Sequence, residues 1–354
     1  MPLNLLFLDS WVSKRAEGSG SAVAIAGLAA GLRSLGHHVD VLRPRRSLGS
    51  LDVTRMAYNL TLRSRLARME RPYDVVVGFD YDGWALRGKV GARYVVALKG
   101  VAADERAFET GWFRIKFGLY SAMEARNARS ADRVFVTSQH SRKVALSAYG
   151  LSPERMRLAP EGIDATIASV GSPAARHDFS VLSVARQYRR KDIATLIRAV
   201  PGLLESLPQA RVRIVGDGPE ADRNRQLAVS LGVSHAVSFL GSLESVDALR
   251  NEYERASVFC LPSRQEGFGI VFLEAMSHGL PIVAAAAGAV PEVAPHQQTS
   301  LLVSPGDSQA LTKALERILT RPELAQRLGT AGIERVRGFG WPDAARAFLD
   351  GLRD

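Results

Sequence analysis

Ser263-Arg-Gln-Glu266-Gly-Phe-Gly-Ile-Val-Phe-Leu-Glu274 is the stretch that decides the fold. It follows the short apolar run Val258–Leu261, which ends at Pro262 and reads as a buried strand. Gly267 and Gly269 allow a sharp turn that exposes backbone N–H groups. Ile270–Ser277 then carries apolar side chains all round, as a buried helix does. A helix starting near Gly269 presents unpaired N–H groups and a positive dipole end, which together form a ready anion site. Glu266 and Glu274 flank that end. Two carboxylates would repel a phosphate that they faced, and they are better suited to accepting hydrogen bonds from sugar hydroxyls.

The same alternation of strand and helix runs through all 354 residues. Leu3–Leu8, Val39–Leu42, Val75–Val77, Tyr94–Leu98 and Arg133–Val136 read as strands of a first half. Ser21–Leu35, stopped by Gly36, and then Thr54–Met69 and Phe113–Arg129 read as its helices. In the second half Phe179–Val184, Arg211–Val215, Val237–Leu240, Val258–Leu261, Pro281–Ala285 and Leu301–Val303 are strands. Ile193–Leu207, Ala221–Leu231, Val246–Arg255 and Ser308–Leu319 are helices beside them. Such alternation predicts an α/β protein with parallel sheets and crossover helices. The small-residue run Ile167-Ala-Ser-Val-Gly-Ser-Pro-Ala-Ala reads as a linker. Three parts follow: a domain over 1–167, a second over 168–335, and a terminal segment 336–354 whose Pro342–Arg353 is an amphipathic helix.

The run from Glu266 through Glu274 to Gly279-Leu-Pro281 resembles the signature of family-4 retaining glycosyltransferases, also called glycosyl transferase group 1. The resemblance implies the GT-B fold: two Rossmann-like parallel-sheet domains facing a central cleft, with the last helix crossing back to the first domain. It covers nearly the whole chain. Gly18-Ser-Gly20 and the helix after it resemble the family's opening loop, which implies close approach of Gly18 and Gly20 to a donor phosphate; by itself a Gly-x-Gly is a turn. Ala159-Pro-Glu-Gly162-Ile-Asp164 resembles the end of the first domain, with Glu161 where Asn is usual, so no role is carried over to it. Val184-Ala-Arg186-Gln-Tyr-Arg-Arg-Lys191 resembles the motif that supplies two cations to the donor diphosphate. Asp192 follows where Gly is usual and would serve as a helix N-cap. Gly216 opens a strand-end turn, and Gly241-Ser242-Leu243 resembles the segment whose backbone contacts the nucleotide base. Gly288-Ala-Val-Pro291-Glu292 matches the loop after the next strand, for holding the donor or for packing. Many members carry His at the end of the fourth strand. Here Lys99 stands there, followed by Asp104 and Glu105, and these three are the acceptor-side or catalytic candidates. None of the seven histidines substitutes clearly, and His37, His38 and His140 read as structural.

The resemblance implies a retaining transferase that moves a hexose-type sugar from a nucleoside-diphosphate sugar, UDP or GDP, to an acceptor hydroxyl. Cell-envelope glycan, glycolipid or natural-product glycoside synthesis is the expected setting. Glu274 would hold the ribose hydroxyls and Glu266 the donor sugar. Gly267, Phe268, Gly269 and Ile270 would offer N–H groups. Negative charge builds on the leaving diphosphate, and an Arg fork with a Lys point charge stabilises it as water is excluded. No metal and no cofactor are then expected. Asp80-Tyr-Asp82 reads as an acceptor-side loop or simply a polar loop. Two other readings remain: a nucleotide-sugar epimerase of the same fold, which the two glutamates and the Arg186/Lys191 pair speak against, and a basic nucleic-acid-binding protein.

Composition bounds the setting. Cys260 is the only cysteine, which excludes an intrachain disulfide and suits a cytoplasmic protein. No apolar run is long enough to span a bilayer, and Met1–Leu8 reads as a first strand, not a signal peptide. Residues 1–167 carry about +9 of the formal +10, with Arg43, Arg45, Arg46, Arg55, Arg63, Arg65, Arg68 and Arg71 crowded together. Nucleic acid, an anionic membrane or solvent alone would satisfy such a face. No nucleic-acid-binding motif is present. Trp112-Phe-Arg-Ile-Lys-Phe-Gly-Leu-Tyr120 mixes aromatic and basic residues as interfacial segments do, or packs on the sheet as an ordinary amphipathic helix. Peripheral contact with the inner face of a membrane is therefore an expectation of the charge pattern.

Overall fold

Strands that are apolar on both faces need helices on both faces, and most strands of the chain are followed by one. The structure, a computed structural model, describes residues 1–11, 20–69, 71–88, 90–164, 179–243 and 245–353. Its strands are β1 (Asn4–Leu8), β2 (His38–Leu42), β3 (Val75–Phe79), β4 (Arg93–Leu98), β5 (Arg133–Val136), β6 (Met156–Leu158), β7 (Ser180–Val184), β8 (Arg211–Val215), β9 (Val237–Gly241), β10 (Val258–Leu261), β11 (Ile282–Ala285) and β12 (Ser300–Val303). Its helices are α1 (Gly20–Ser34), α2 (Leu51–Leu66), α3 (Ala102–Phe108), α4 (Gly111–Ser130), α5 (Gln139–Tyr149), α6 (Ile193–Ser206), α7 (Ala221–Ser230), α8 (Val246–Arg255), α9 (Ile270–Ser277), α10 (Val290–Val293), α11 (Ser308–Leu319), α12 (Pro322–Val336) and α13 (Trp341–Arg353).

Two compact units result. One holds Ser19–Gly162 and Trp341–Asp354 together with β1, and the other holds Ile163–Gly340. Each has one six-stranded sheet in which every pairing is parallel. The orders are β2-β1-β3-β4-β5-β6 and β12-β11-β10-β7-β8-β9. In the first unit the order reverses beside β1, which pairs with both β2 and β3. In the second it reverses beside β7, which pairs with β8 on one side and β10 on the other. Open parallel sheets bind ligands beyond the carboxyl ends of the strands at such reversals.

The sequence reading missed the three-residue edge strand β6, the short α3, and α12, which opens on Pro322 at a first-turn position that tolerates proline. Helix α2 starts earlier than expected because Ser50 Oγ accepts a hydrogen bond from Val53 N and caps it at Leu51. The expected linker at 167–175 and the boundary between 167 and 168 lie outside the described residues. Helix α13 packs on the first unit. A Cβ at Gly27 would run into the Trp341 ring, and one at Gly31 into the Trp341 backbone, so two glycines of α1 permit the close approach. The Phe348 ring lies 4.4 Å from that of Phe135 in β5.

Candidate active site

In the second unit the loops after β7 and β10 meet at the reversal of the sheet. Gln187, fully buried, pins the first loop: its Nε2 donates to Gly216 O at 2.8 Å and its Oε1 accepts from Asn224 Nδ2 at 2.8 Å. Arg186 beside it is exposed and lies over the Tyr188 ring, 5.5 Å from the centroid. A short turn over Arg189–Lys191 then carries Lys191 Nζ to 2.6 Å from Glu266 Oε1. Ser263 Oγ donates to the same carboxylate oxygen at 2.8 Å. Glu266 is buried, and its backbone oxygen takes Ala289 N at 2.9 Å. A Cβ at Gly288 would run into the Glu266 backbone, so the loop after β11 packs on the Glu266 turn. Asp192 sits at φ 49°, in the left-handed region that favours glycine and tolerates Asp. It occupies the N-cap position, but its side chain caps no backbone N–H, against expectation. It takes Arg264 Nε at 2.7 Å and Thr195 Oγ1 at 2.8 Å instead, and so ties the β10 loop to the β7 loop.

Helix α9 starts at Ile270, and of its two candidate glycines it is Gly269 that takes the left-handed region, at φ 92°. Phe268 is buried against the core, 6.1 Å from the Phe339 ring. Ile270 and Leu243 are partly buried and pack on the same core. These three side chains pack on the core, and it is their backbone groups that the sequence reading assigns to a ligand. Glu274, midway along α9, accepts Tyr253 Oη at 2.8 Å, and Tyr253 stacks on His278 with centroids 5.0 Å apart. Burial raises the Glu274 carboxyl above its ordinary range, and the Tyr253 hydroxyl opposes that shift. Gly216 N donates to Gly241 O at 2.7 Å, which holds the β8 and β9 loops together, and Ser242 beyond them is exposed. Arg186, Lys191, Glu266, Gly216 and Gly241 thus stand on adjoining loops, with Lys191 and Glu266 in direct contact.

In the first unit Gly18 lies outside the described residues, and Gly20 is the exposed first residue of α1. Lys99 ends β4, and its Nζ lies 3.0 Å from Glu161 Oε1, with both side chains almost fully buried. Burial pushes the Glu161 carboxyl up and Lys99 opposes it. Lys99 N donates to Asp80 Oδ1 at 2.8 Å. Asp104 Oδ2 lies 2.8 Å from His140 Nε2, and Glu105 is its neighbour on α3. Asp82 is fully buried in this turn. Its carboxylate takes Ser10 N, Ser10 Oγ and Asn59 Nδ2 at 2.8, 2.7 and 3.0 Å. Arg55 is buried too, its guanidinium 4.4 Å from the Trp11 ring and 4.1 Å from the Tyr81 ring. It does not belong to the exposed arginines with which the sequence grouped it. Sequence reasoning also missed Ser263, Gln187, Tyr253 and the Lys99–Glu161 partnership. Ser263 was within reach, three residues before Glu266. The others depend on contacts between distant segments.

Comparison with known proteins accounts for this arrangement. Residues 169–335 match the family described as "Glycosyl transferases group 1", and residues 18–167 match "Glycosyltransferase Family 4". A GDP-mannose-dependent alpha-(1-6)-phosphatidylinositol monomannoside mannosyltransferase of Mycobacterium tuberculosis is 30% identical over 271 residues, covering 72% of this chain and 69% of that protein. The chain belongs to glycosyltransferase family 4. This family-4 glycosyltransferase is also 32% identical over 247 residues to a D-inositol 3-phosphate glycosyltransferase of Kribbella flavida, covering 65% of the chain and 58% of that relative's length. Among solved structures, sucrose-phosphate synthase from Thermosynechococcus elongatus superposes with a TM-score of 0.82 at 23% identity, over 99% of this chain and 98% of the other. Anabaena Alr3699/HepE in complex with UDP-glucose gives 0.76 at 19% identity, over 99% of both chains. These likenesses show the GT-B fold. No helix among the described residues is long and apolar enough to cross a membrane.

Proposed function

We propose that the chain transfers a hexose-type sugar from a nucleoside-diphosphate sugar, UDP or GDP, to an acceptor hydroxyl, with retention and without a metal or cofactor. The Lys191–Glu266 contact at the reversal of the second sheet carries this reading. It supplies a cation for the leaving diphosphate beside a carboxylate for the sugar. Arg186, five residues before Lys191, adds a planar fork, and the N–H groups that open α9 add a third positive element. Before a donor arrives, Glu266 occupies Lys191. A diphosphate would displace that carboxylate from Nζ and free it to accept sugar hydroxyls, with Ser263 still holding its place. Glu274, kept receptive by the Tyr253 hydroxyl, would accept the ribose hydroxyls. As the donor bond breaks, charge grows on the diphosphate and these fixed donors gain strength. The leaving phosphate itself would take the proton of the acceptor hydroxyl, on the face it departs from.

Two neighbours support the donor class: Alr3699/HepE was solved with UDP-glucose, and the mycobacterial relative is named for GDP-mannose. The basic first unit favours an anionic or lipid-linked acceptor, and hence peripheral membrane contact on the cytoplasmic side. The test is a turnover screen over UDP-, GDP- and ADP-sugars with product anomers read by NMR. One nucleoside diphosphate class should release its sugar with retained configuration. Inversion, or silence across all three classes, would refute the proposal.

A further inference from the structure

The first unit exposes an apolar surface that sugar transfer does not use. Six of the twelve exposed large hydrophobic side chains among the described residues lie on only two helices. On α2 they are Val53, Met56 and Leu60, and on α4 they are Trp112, Ile115 and Leu119. Each set has the spacing i, i+3, i+7, which puts it on one face of its helix. Exposure runs from 38% at Met56 to 68% at Trp112. Burial on α4 begins only at Glu124; from Gly111 to Met123 nothing is buried.

A shared bridge fixes the two faces together. Asp52, in the first turn of α2, takes Lys116 Nζ of α4 at 2.6 Å and also the Tyr120 hydroxyl. Val53 follows Asp52, and Ile115 and Leu119 precede Lys116 and Tyr120, so both stripes flank one bridge. The bridge also neutralises the acid nearest to them. Around the stripes stand exposed cations. Arg45 and Arg46 lie in the loop before α2 and Arg114 on α4, and none of them makes an ion pair among the described residues. Helices that follow parallel strands start at the carboxyl edge of the sheet. The surface therefore adjoins the edge where Lys99 ends β4.

We propose that this α2/α4 face docks on an anionic lipid bilayer. Trp112, Ile115 and Leu119 enter the interface beside Val53, Met56 and Leu60, and Arg45, Arg46 and Arg114 sit at headgroup level. The apolar stripes supply insertion and the arginines supply selection for negative lipid. Arg55, Arg43 and Arg71 take no part: the first is buried, and the other two pair with Asp9 and Asp40. The inference rests on the proposed function only for the acceptor that such a membrane would carry.

The test is sedimentation of the full chain with phosphatidylcholine vesicles, with and without phosphatidylglycerol, at low and high salt. Wild-type chain should bind the anionic vesicles about tenfold or more over the neutral ones, and less as salt rises. Trp112→Ser with Ile115→Ser and Leu119→Ser, and separately Val53→Ser with Met56→Ser and Leu60→Ser, should each weaken binding about tenfold. Arg45→Glu with Arg46→Glu should do so at low salt only. Melting temperature and UDP or GDP binding should stay as in wild type for all three. Binding that fails in wild type at low salt would overturn the proposal, as would triple variants that bind like wild type. A wild-type dimer that the triple variants convert to monomer would overturn it in favour of a second copy. Vesicle binding needs no turnover, so a chain that binds vesicles but transfers no sugar would refute the transferase reading and leave this surface standing.

Discussion

Lys191–Glu266 and Lys99–Glu161 are both lysine–glutamate pairs at the carboxyl edge of a parallel sheet, yet they are built for different work. In the second unit Lys191 keeps 16% of its side chain exposed, and Glu266 has a second holder in Ser263. That carboxylate can let go of the ammonium and remain satisfied. In the first unit Lys99 and Glu161 are 5% and 4% exposed, with the Phe79 ring 5.7 Å from Nζ. Among the described residues the Glu161 carboxylate is held by Lys99 alone. Opening that pair strands a charge in apolar surroundings. On the proposed function the first pair exchanges partners with an anion, whereas the second holds two loops in register.

The sharpest way to break this contrast is to remove one lysine from each. Lys99→Ala should cost about 3–5 kcal/mol of stability, because Glu161 is left buried and alone. Lys99→Met with Glu161→Gln should recover most of that loss in a urea melt. If Lys99→Ala melts like wild type, the pair is not the strut described. Lys191→Ala and Arg186→Ala should leave stability nearly unchanged and cut turnover by ~10²–10³. Wild-type turnover in either would remove the diphosphate role.

These two pairs also mark how far the sequence could be read. Glu266, Glu274, Arg186 and Lys191 were legible as candidates because each spacing is local and sits at a strand end. The alternation of elements gave both parallel sheets, apart from the edge strand β6, whose three residues carry no pattern. Lys99 was legible as a residue but not as a pair. Glu161 lies 62 positions away, and only the approach of the β4 and β6 loops joins them. The arginine cluster misled for the same reason. Charge counted along a chain does not show that Arg55 is stacked between Trp11 and Tyr81. Asp80-Tyr-Asp82 reads only as an acceptor-side loop or a polar loop, because sequence cannot show that Ser10 and Asn59 bind the Asp82 carboxylate.

Beside the Lys99 strut, Asp80 offers a pH handle. Burial pushes its carboxyl from 3.8 up to about 6; the Lys99 N–H and Arg55 oppose the shift, and Asp82 and Glu105 add to it. The folded chain then holds a proton that the unfolded chain has released. Its stabilising contribution is full below about pH 4 and is lost as pH rises through about 6. Asp80→Asn should therefore lessen the fall in melting temperature across that window. An unchanged slope would mean that Asp80 titrates normally. The smallest effect is expected from chelation. If Lys191, Arg186 and the α9 N-terminus neutralise the leaving group as proposed, EDTA should leave turnover as it was. Loss restored by Mg²⁺ or Mn²⁺ would show that the second unit needs a metal after all.

The most direct test of the central claim is calorimetric titration of UDP, GDP and their bare nucleosides into four proteins: wild type, Arg186→Ala, Lys191→Ala and Glu274→Ala. The account expects one base to bind. Arg186→Ala and Lys191→Ala should weaken the diphosphate and spare the nucleoside, while Glu274→Ala should weaken both about tenfold, or ~1.4 kcal/mol. Failure of both diphosphates to bind wild type, or a nucleoside that binds Glu274→Ala as it binds wild type, would contradict it.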